Sequence, residues 1–132
     1  MMRYLLDANV VIGLLNDATS KLARRARRER PADIAISAIV AHELFYGAFK
    51  SRRAAQNVAL IDALQFPVLE FDTEDARQAG DVRALLASRG TPIGPYDVLI
   101  AGQAKARNLI LITHNTDEFG RVPGLRFDDW QA

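Results

Sequence analysis

The chain contains no cysteine, and that one absence removes disulfides, thiolate zinc sites and a cysteine nucleophile together. It is compatible with a reducing compartment. No apolar run approaches the ~20 residues that a membrane-spanning helix needs. The opening run Tyr4-Leu5-Leu6 is broken by Asp7 too early for a secretory leader. These absences lead us to expect a soluble, cytoplasmic protein with no membrane association. Charge of one sign is also missing: 17 basic and 16 acidic residues leave a net charge of +1, so total charge offers no argument for a polyanionic partner. There is no glycine-rich phosphate loop and no G-x-G-x-x-G. An H-E-x-x-H zinc motif fails as well, because Tyr46 stands where the second histidine after His42-Glu43 would be. Repeats, linkers and low-complexity segments are absent too.

What remains is an ordinary globular composition, 49% apolar and 25% charged over 132 residues. That fits one domain spanning 1–132 with a core of its own. Short apolar segments alternate with helical patterns. Strands are expected at 3–6, 34–36, 67–71 and 109–112, with a last edge strand at 124–127. Helices are expected at 9–15, from a cap at Thr19 or Ser20 to before Pro31, at 38–50 with Ser37 as N-cap, and at 53–64. Further helices run from a cap at Asp72 or Thr73 to near Gly90, and from 96 to 107. Leu109-Ile110-Leu111-Ile112 has no polar alternation, as befits a central parallel strand buried on both faces. Such alternation predicts an α/β fold, a mostly parallel sheet of four to five strands covered on both faces in an α/β/α arrangement.

Four acidic segments fall where these strands run out. They are Leu5-Leu6-Asp7, Ala41-His42-Glu43-Leu44, Pro95-Tyr96-Asp97-Val98, and Thr113-His114-Asn115-Thr116-Asp117-Glu118-Phe119. Active sites of open α/β sheets lie beyond the carboxyl ends of the strands, so all four segments can meet there. An unpaired buried carboxylate costs several kcal/mol, and acids converging on one point each hold protons unless a cation joins them. Oxygen-rich sites suit Mg²⁺ or Mn²⁺, which bind few protein groups alongside water and phosphate. Phosphodiester hydrolysis is the chemistry this suggests. Taken singly, each acid has a plainer account as a helix cap or surface charge, Asp97 above all. Asp7 has apolar neighbours on both sides and is harder to explain that way.

At this point the chain resembles the PIN-domain family, and within it the VapC toxins of bacterial toxin–antitoxin pairs. The resemblance rests on Leu5-Leu6-Asp7-Ala8-Asn9-Val10-Val11-Ile12, on Ile36-Ser37 with Glu43-Leu44-Phe45-Tyr46-Gly47, and on Gly94-Pro95-Tyr96-Asp97-Val98-Leu99-Ile100-Ala101. It extends through Thr113–Phe119, Val122-Pro123-Gly124-Leu125 and Asp129-Trp130. It implies a PIN-like three-layer fold and an endoribonuclease dependent on Mg²⁺, with Mn²⁺ the alternative. Its implied partners are an RNA substrate (transfer or ribosomal RNA), a VapB-type antitoxin and a second copy in a homodimer. It implies growth inhibition through translation, and Asp7 and Asp97 as metal ligands within a catalytic set of Asp7, Glu43, Asp97 and Glu118. Asp117 and Asn115 compete with Glu118 for the fourth place. One departure is visible: the family usually carries Thr or Ser after the first aspartate, and here there is Ala8, which lacks the hydroxyl.

Two rival functions are weaker. A small phosphatase usually needs Asp-x-Asp after its first strand, and position 9 is Asn. A non-catalytic binding module would not need acids at all four motif positions. Among secondary features, the cluster Lys21, Arg24, Arg25, Arg27, Arg28 and Arg30 reads either as a solvated helix face or as contacts to RNA phosphates. Leu44, Phe45, Tyr46 and Phe49 exceed what one small core needs, so part of that helix could receive an antitoxin helix. His42 and His114 suit surface or capping roles, and Trp130 is expected to pin the tail.

Overall fold

In the computed structural model, which describes residues 2–132, five short strands form a wholly parallel sheet in the order β3-β2-β1-β4-β5. The strands are β1 (Tyr4–Leu6), β2 (Ile34–Ser37), β3 (Val68–Leu69), β4 (Ile110–Ile112) and β5 (Phe127–Asp128). The helices are α1 (Ala8–Asn16), α2 (Lys21–Ala26), α3 (Ala38–Phe49), α4 (Ala54–Asp62), α5 (Thr73–Ser88), α6 (Pro95–Ala106) and α7 (Thr116–Phe119). They cover the sheet to give a three-layer α/β/α fold. The expected α/β class and parallel sheet are both present.

Register does the positioning. Leu6 pairs with Ile36 on one side and Ile112 on the other, so the three central strands end level. The residues at or just past that line, Asp7, Ser37 and Thr113, are polar and all buried. β1, β2 and β4 are apolar and almost wholly buried, which is why their sequences do not alternate. The edge strands fall short of expectation. β3 keeps two of the five predicted residues, and Val68 and Phe127 on the two edges are partly exposed. An edge strand has one neighbour and little burial to extend it.

Caps follow the sequence. Ser20 accepts from Ala23 N, Ser37 accepts from Ile39 N, and Asp72 forms a capping box with Asp75. The helix α2 ends at Ala26, a turn earlier than Pro31 alone would require. A 3-10 turn at Pro31–Asp33 and the one-turn α7 are additions that periodicity could not reveal. Trp130 does pin the tail, buried edge-on against Tyr4 with ring centroids 5.0 Å apart.

The helix α6, which carries Asp97, is fixed against α5 in two ways. Gly102 sits directly on Ala79, where an added Cβ would lie 2.4 Å from the Ala79 Cα. Beside it Asp75 is buried and accepts from Gln103 Nε2 (3.0 Å) and from the Arg107 guanidinium (3.0 and 3.2 Å). Burial works to raise the Asp75 carboxyl, but Arg107, the Asp72 N–H and Gln103 outweigh it and hold it below the usual range. Gly102→Ala should therefore cost about 2 kcal/mol or more by overpacking. Gly80→Ala, on the same helix pair but with nothing within 4 Å of the new methyl, should gain about 0.5–1 kcal/mol in helix propensity. Urea denaturation of the two variants separates these outcomes.

Candidate active site

Asp7 continues β1 directly. Its backbone N–H donates to the Ile112 carbonyl (3.0 Å), extending the sheet pairing by one step. Its side chain is then the N-cap of α1, with Oδ1 accepting from the Ala8 N–H at 2.8 Å. The second oxygen, Oδ2, accepts from the Thr113 hydroxyl at 2.9 Å. Thr113 is fully buried, and its Oγ1 also accepts from the Asn115 N–H at 3.0 Å. The Asp7 carboxylate is thus held at both oxygens. Burial nonetheless dominates and raises its pKa, with the Glu118 charge adding to the rise.

The other acids approach from three helices. Glu43 lies midway along α3, with Leu44 beside it buried in the core. Its Oε1 is buried and has no hydrogen-bond partner, and its pKa is raised first by burial and then by the Asp7 charge. Asp97 stands in the first turn of α6. Burial, then the charges of Asp7, Glu118 and Glu43, push it up to about 7. Glu118, in α7, is the best satisfied. Its Oε1 accepts from the Gly94 N–H (2.7 Å) and its Oε2 from Asn115 Nδ2 (2.5 Å), and these bonds hold its pKa below the usual carboxylate range. Gly94 is needed for this approach, because a Cβ there would lie 3.0 Å from Asp97 Oδ2 and 3.7 Å from Glu118 Oε1.

The four acids named from the sequence are therefore electrostatically coupled at one end of the sheet. Asp117 is exposed on α7, and no contact joins it to the group among the described residues. Asn115 belongs to the cluster as a donor to Glu118. Thr113 and Gly94 were missed as site residues in the sequence reading. A threonine closing an apolar strand, level with Asp7 across the sheet, was the available signal for the first. His114 turns to Asp129 (Nδ1 to Oδ2, 2.9 Å) and His42 lies against Tyr96, both at the surface as expected.

Among the described residues, no three acidic or histidine side chains form a ready cage for a single ion. The chemistry of the donors still fits a hard cation that keeps its own water and uses one or two carboxylates. Glu43 has an orphaned oxygen, and Asp97 holds a proton near neutrality for want of a positive partner. A cation would satisfy both.

Residues 4–125 match the PIN domain. The chain is 39% identical to the tRNA(fMet)-specific endonuclease VapC of Salmonella typhimurium, an alignment covering 98% of this chain and 99% of that one. The chain belongs to the PIN-domain family, among its VapC ribonucleases. Ribonuclease VapC2 of Haemophilus influenzae is 33% identical over the same span of this chain. Among solved structures, DNA-bound VapBC from Salmonella typhimurium superposes with a TM-score of 0.93 at 39% identity, covering 98% of this chain and 99% of that chain. VapBC-1 from nontypeable Haemophilus influenzae gives 0.89 at 33% identity, covering 99% and 100%. The match spans nearly the whole of each relative, so the acidic cluster of this VapC chain sits in a fold that its relatives share from end to end.

Two measurements follow from the geometry. Because the folded pKa of Asp97 lies above its unfolded value, the folded chain retains a proton between about pH 4 and 7 that the unfolded chain releases. That contribution to stability is full below the unfolded value and lost as pH rises through about 7. In EDTA at pH 8, Asp97→Asn should melt higher than wild type, and the gap should close toward pH 5; an unchanged gap would refute the coupling. Thr113→Val should lower stability by about 1–3 kcal/mol, as for an Asp7 carboxylate left without a buried donor. Thr113→Ser should restore most of it, read by denaturant midpoint.

Proposed function

We propose that this chain is a divalent-metal-dependent endoribonuclease, with Mg²⁺ or Mn²⁺ as the ion, acting as the toxin of a toxin–antitoxin pair. One observation carries the metal dependence: Glu43 buries an unpartnered carboxylate oxygen beside Asp7, in a cluster that leaves Asp97 half-protonated near pH 7. A bound divalent ion supplies charge neutralisation and an activated water for attack on phosphorus. Asp7 and Asp97 are the ligands in this reading. Asp7 is pre-set by the Ala8 N–H and Thr113, so it loses little freedom on binding. Glu43 completes the negative pocket and orients water. Glu118 is already tied to Gly94 and Asn115, so it fixes the loop that opens α6 and with it the position of Asp97. The names of the relatives, ribonuclease and tRNA(fMet)-specific endonuclease, support RNA as substrate.

The antitoxin reading is supported by the VapBC complexes among the similar structures and by the surface next to the acids. An apolar cleft of about 310 Å³ lies between α1, α3 and α4, lined by Ile12, Leu15, Leu44, Ala48, Leu60 and Ile61, with Glu43 in its wall. An amphipathic antitoxin helix fits such a groove. A cationic side chain of that helix could then pair with Glu43. Tyr46 and Phe49 of α3 are 62% and 67% exposed, and they are the surface we assign to a second copy in the homodimer. No helix is long and apolar enough to cross a membrane among the described residues.

The deciding experiment is digestion of total bacterial RNA by antitoxin-free chain with Mg²⁺, with EDTA, and as Asp97→Asn. Discrete fragments should appear only in the first reaction, with the variant reduced at least a hundredfold in rate. Intact RNA under every metal, from protein shown to be folded, would leave a binding module instead.

A further inference from the structure

The basic run singled out in the sequence is only partly consumed by the fold. Leu22, Ala23 and Ala26 form the buried face of α2, which leaves Lys21, Arg24 and Arg28 on the outside, all exposed. Arg25 is neutralised by Glu29 at 3.0 Å and lies over the Trp130 ring, 4.6 Å from its centroid. Arg30 pairs with Asp33. Among the described residues, Lys21, Arg24 and Arg28 have no carboxylate within ion-pair distance, and Arg24 is steadied by the Thr19 carbonyl at 2.8 Å. These three line a cleft of about 370 Å³ whose opposite wall is the C-terminal tail, Asp128, Asp129 and Trp130. The two acids of that wall are already engaged. Asp129 bonds His114 through Oδ2 and the Gln131 N–H through Oδ1, and Asp128 accepts from the Asp129 N–H.

A short line of contacts links the tail wall of the cleft to Asp7. Thr113 bonds Asp7, the next residue is His114, and its partner Asp129 lines the cleft. A polyanion approaching four crowded carboxylates is repelled by them, and a total charge of +1 gives it no general attraction. The exposed cations lining this cleft supply a local attraction that the total charge does not. We propose that the cleft between α2 and the C-terminal tail binds backbone phosphates of the RNA substrate, with Lys21, Arg24 and Arg28 as the contacts. This rests on the ribonuclease reading and adds a second, non-catalytic site to it.

The test is fluorescence anisotropy of a labelled RNA on the Asp97→Asn background in EDTA, across a salt series. Lys21→Gln, Arg24→Gln and Arg28→Gln combined should weaken binding at least tenfold at low salt. Three lost phosphate contacts should flatten the salt slope by about 2 (roughly 0.7 per phosphate on a single strand). Should Arg24→Gln untie the Thr19 loop and lower the melting temperature, the pair Lys21→Gln/Arg28→Gln breaks no side-chain hydrogen bond. It should flatten the slope by about 1.4. Equal binding by variant and parent would overturn the proposal. So would an equal loss on replacing Arg77 and Arg83 of α5 and Arg89 at its C-cap by Gln, which would show a general charge effect. A loss toward poly-glutamate with RNA binding intact would make the cleft a site for acidic peptide instead. Absence of cleavage by the wild-type chain, with the binding loss present, would remove the nuclease reading and leave this site standing.

Discussion

The architecture turns on one electrostatic constraint: four carboxylates share the carboxyl end of a small parallel sheet, and among the described residues none of them is in a salt bridge. In a partly desolvated site each added negative charge raises the cost of the next. The cluster responds unevenly. Asp7 and Glu118 are stabilised by hydrogen bonds to fixed donors, two of them backbone N–H groups at Ala8 and Gly94. Glu43 and Asp97 receive no such help, and burial with neighbouring charge raises their pKa values, as burial raises that of Asp7 despite its bonds. The site is pre-organised at Asp7 and Glu118 and leaves Glu43 with an unpartnered buried oxygen.

Much of the remaining structure serves that arrangement. Level strand ends at Leu6, Ile36 and Ile112 bring Asp7 and Thr113 together across the sheet. The Gly102–Ala79 contact and the Asp75–Gln103–Arg107 network press α6 onto α5 and so set where Asp97 stands. Gly94 lets the loop before α6 pass close to both Asp97 and Glu118. None of these groups reacts, yet displacement of any of them would move a carboxylate of the site.

The charge distribution follows the same logic on a larger scale. The mouth of the site is acidic, the chain as a whole is nearly neutral, and three exposed cations outside any ion pair among the described residues, Lys21, Arg24 and Arg28, lie on or just after one short helix. Their apolar neighbours Leu22, Ala23 and Ala26 are enough to dock that helix and too few to bury its charged face. Composition hides this separation, because the two charge totals nearly cancel.

The central strands, the capped helices α3 and α5 and the four acidic segments were legible from residue order, because burial on both faces erases alternation and caps demand particular side chains, while the fourth acid stayed open between Glu118, Asp117 and Asn115. Edge strands were not, since their length depends on a neighbour that sequence does not name. The one-turn α7 is too short for periodicity, and the parts of Thr113 and Gly94 arise from contacts made across 106 and 24 positions of chain. By itself, then, the sequence determined the central strands, the longer helices and the acidic segments, because these are local matters of hydrophobicity, capping and charge. Only the tertiary structure decided which acids accept hydrogen bonds from fixed donors and which keep an unpartnered oxygen, because that depends on donors brought in from distant segments and on how much water each oxygen keeps.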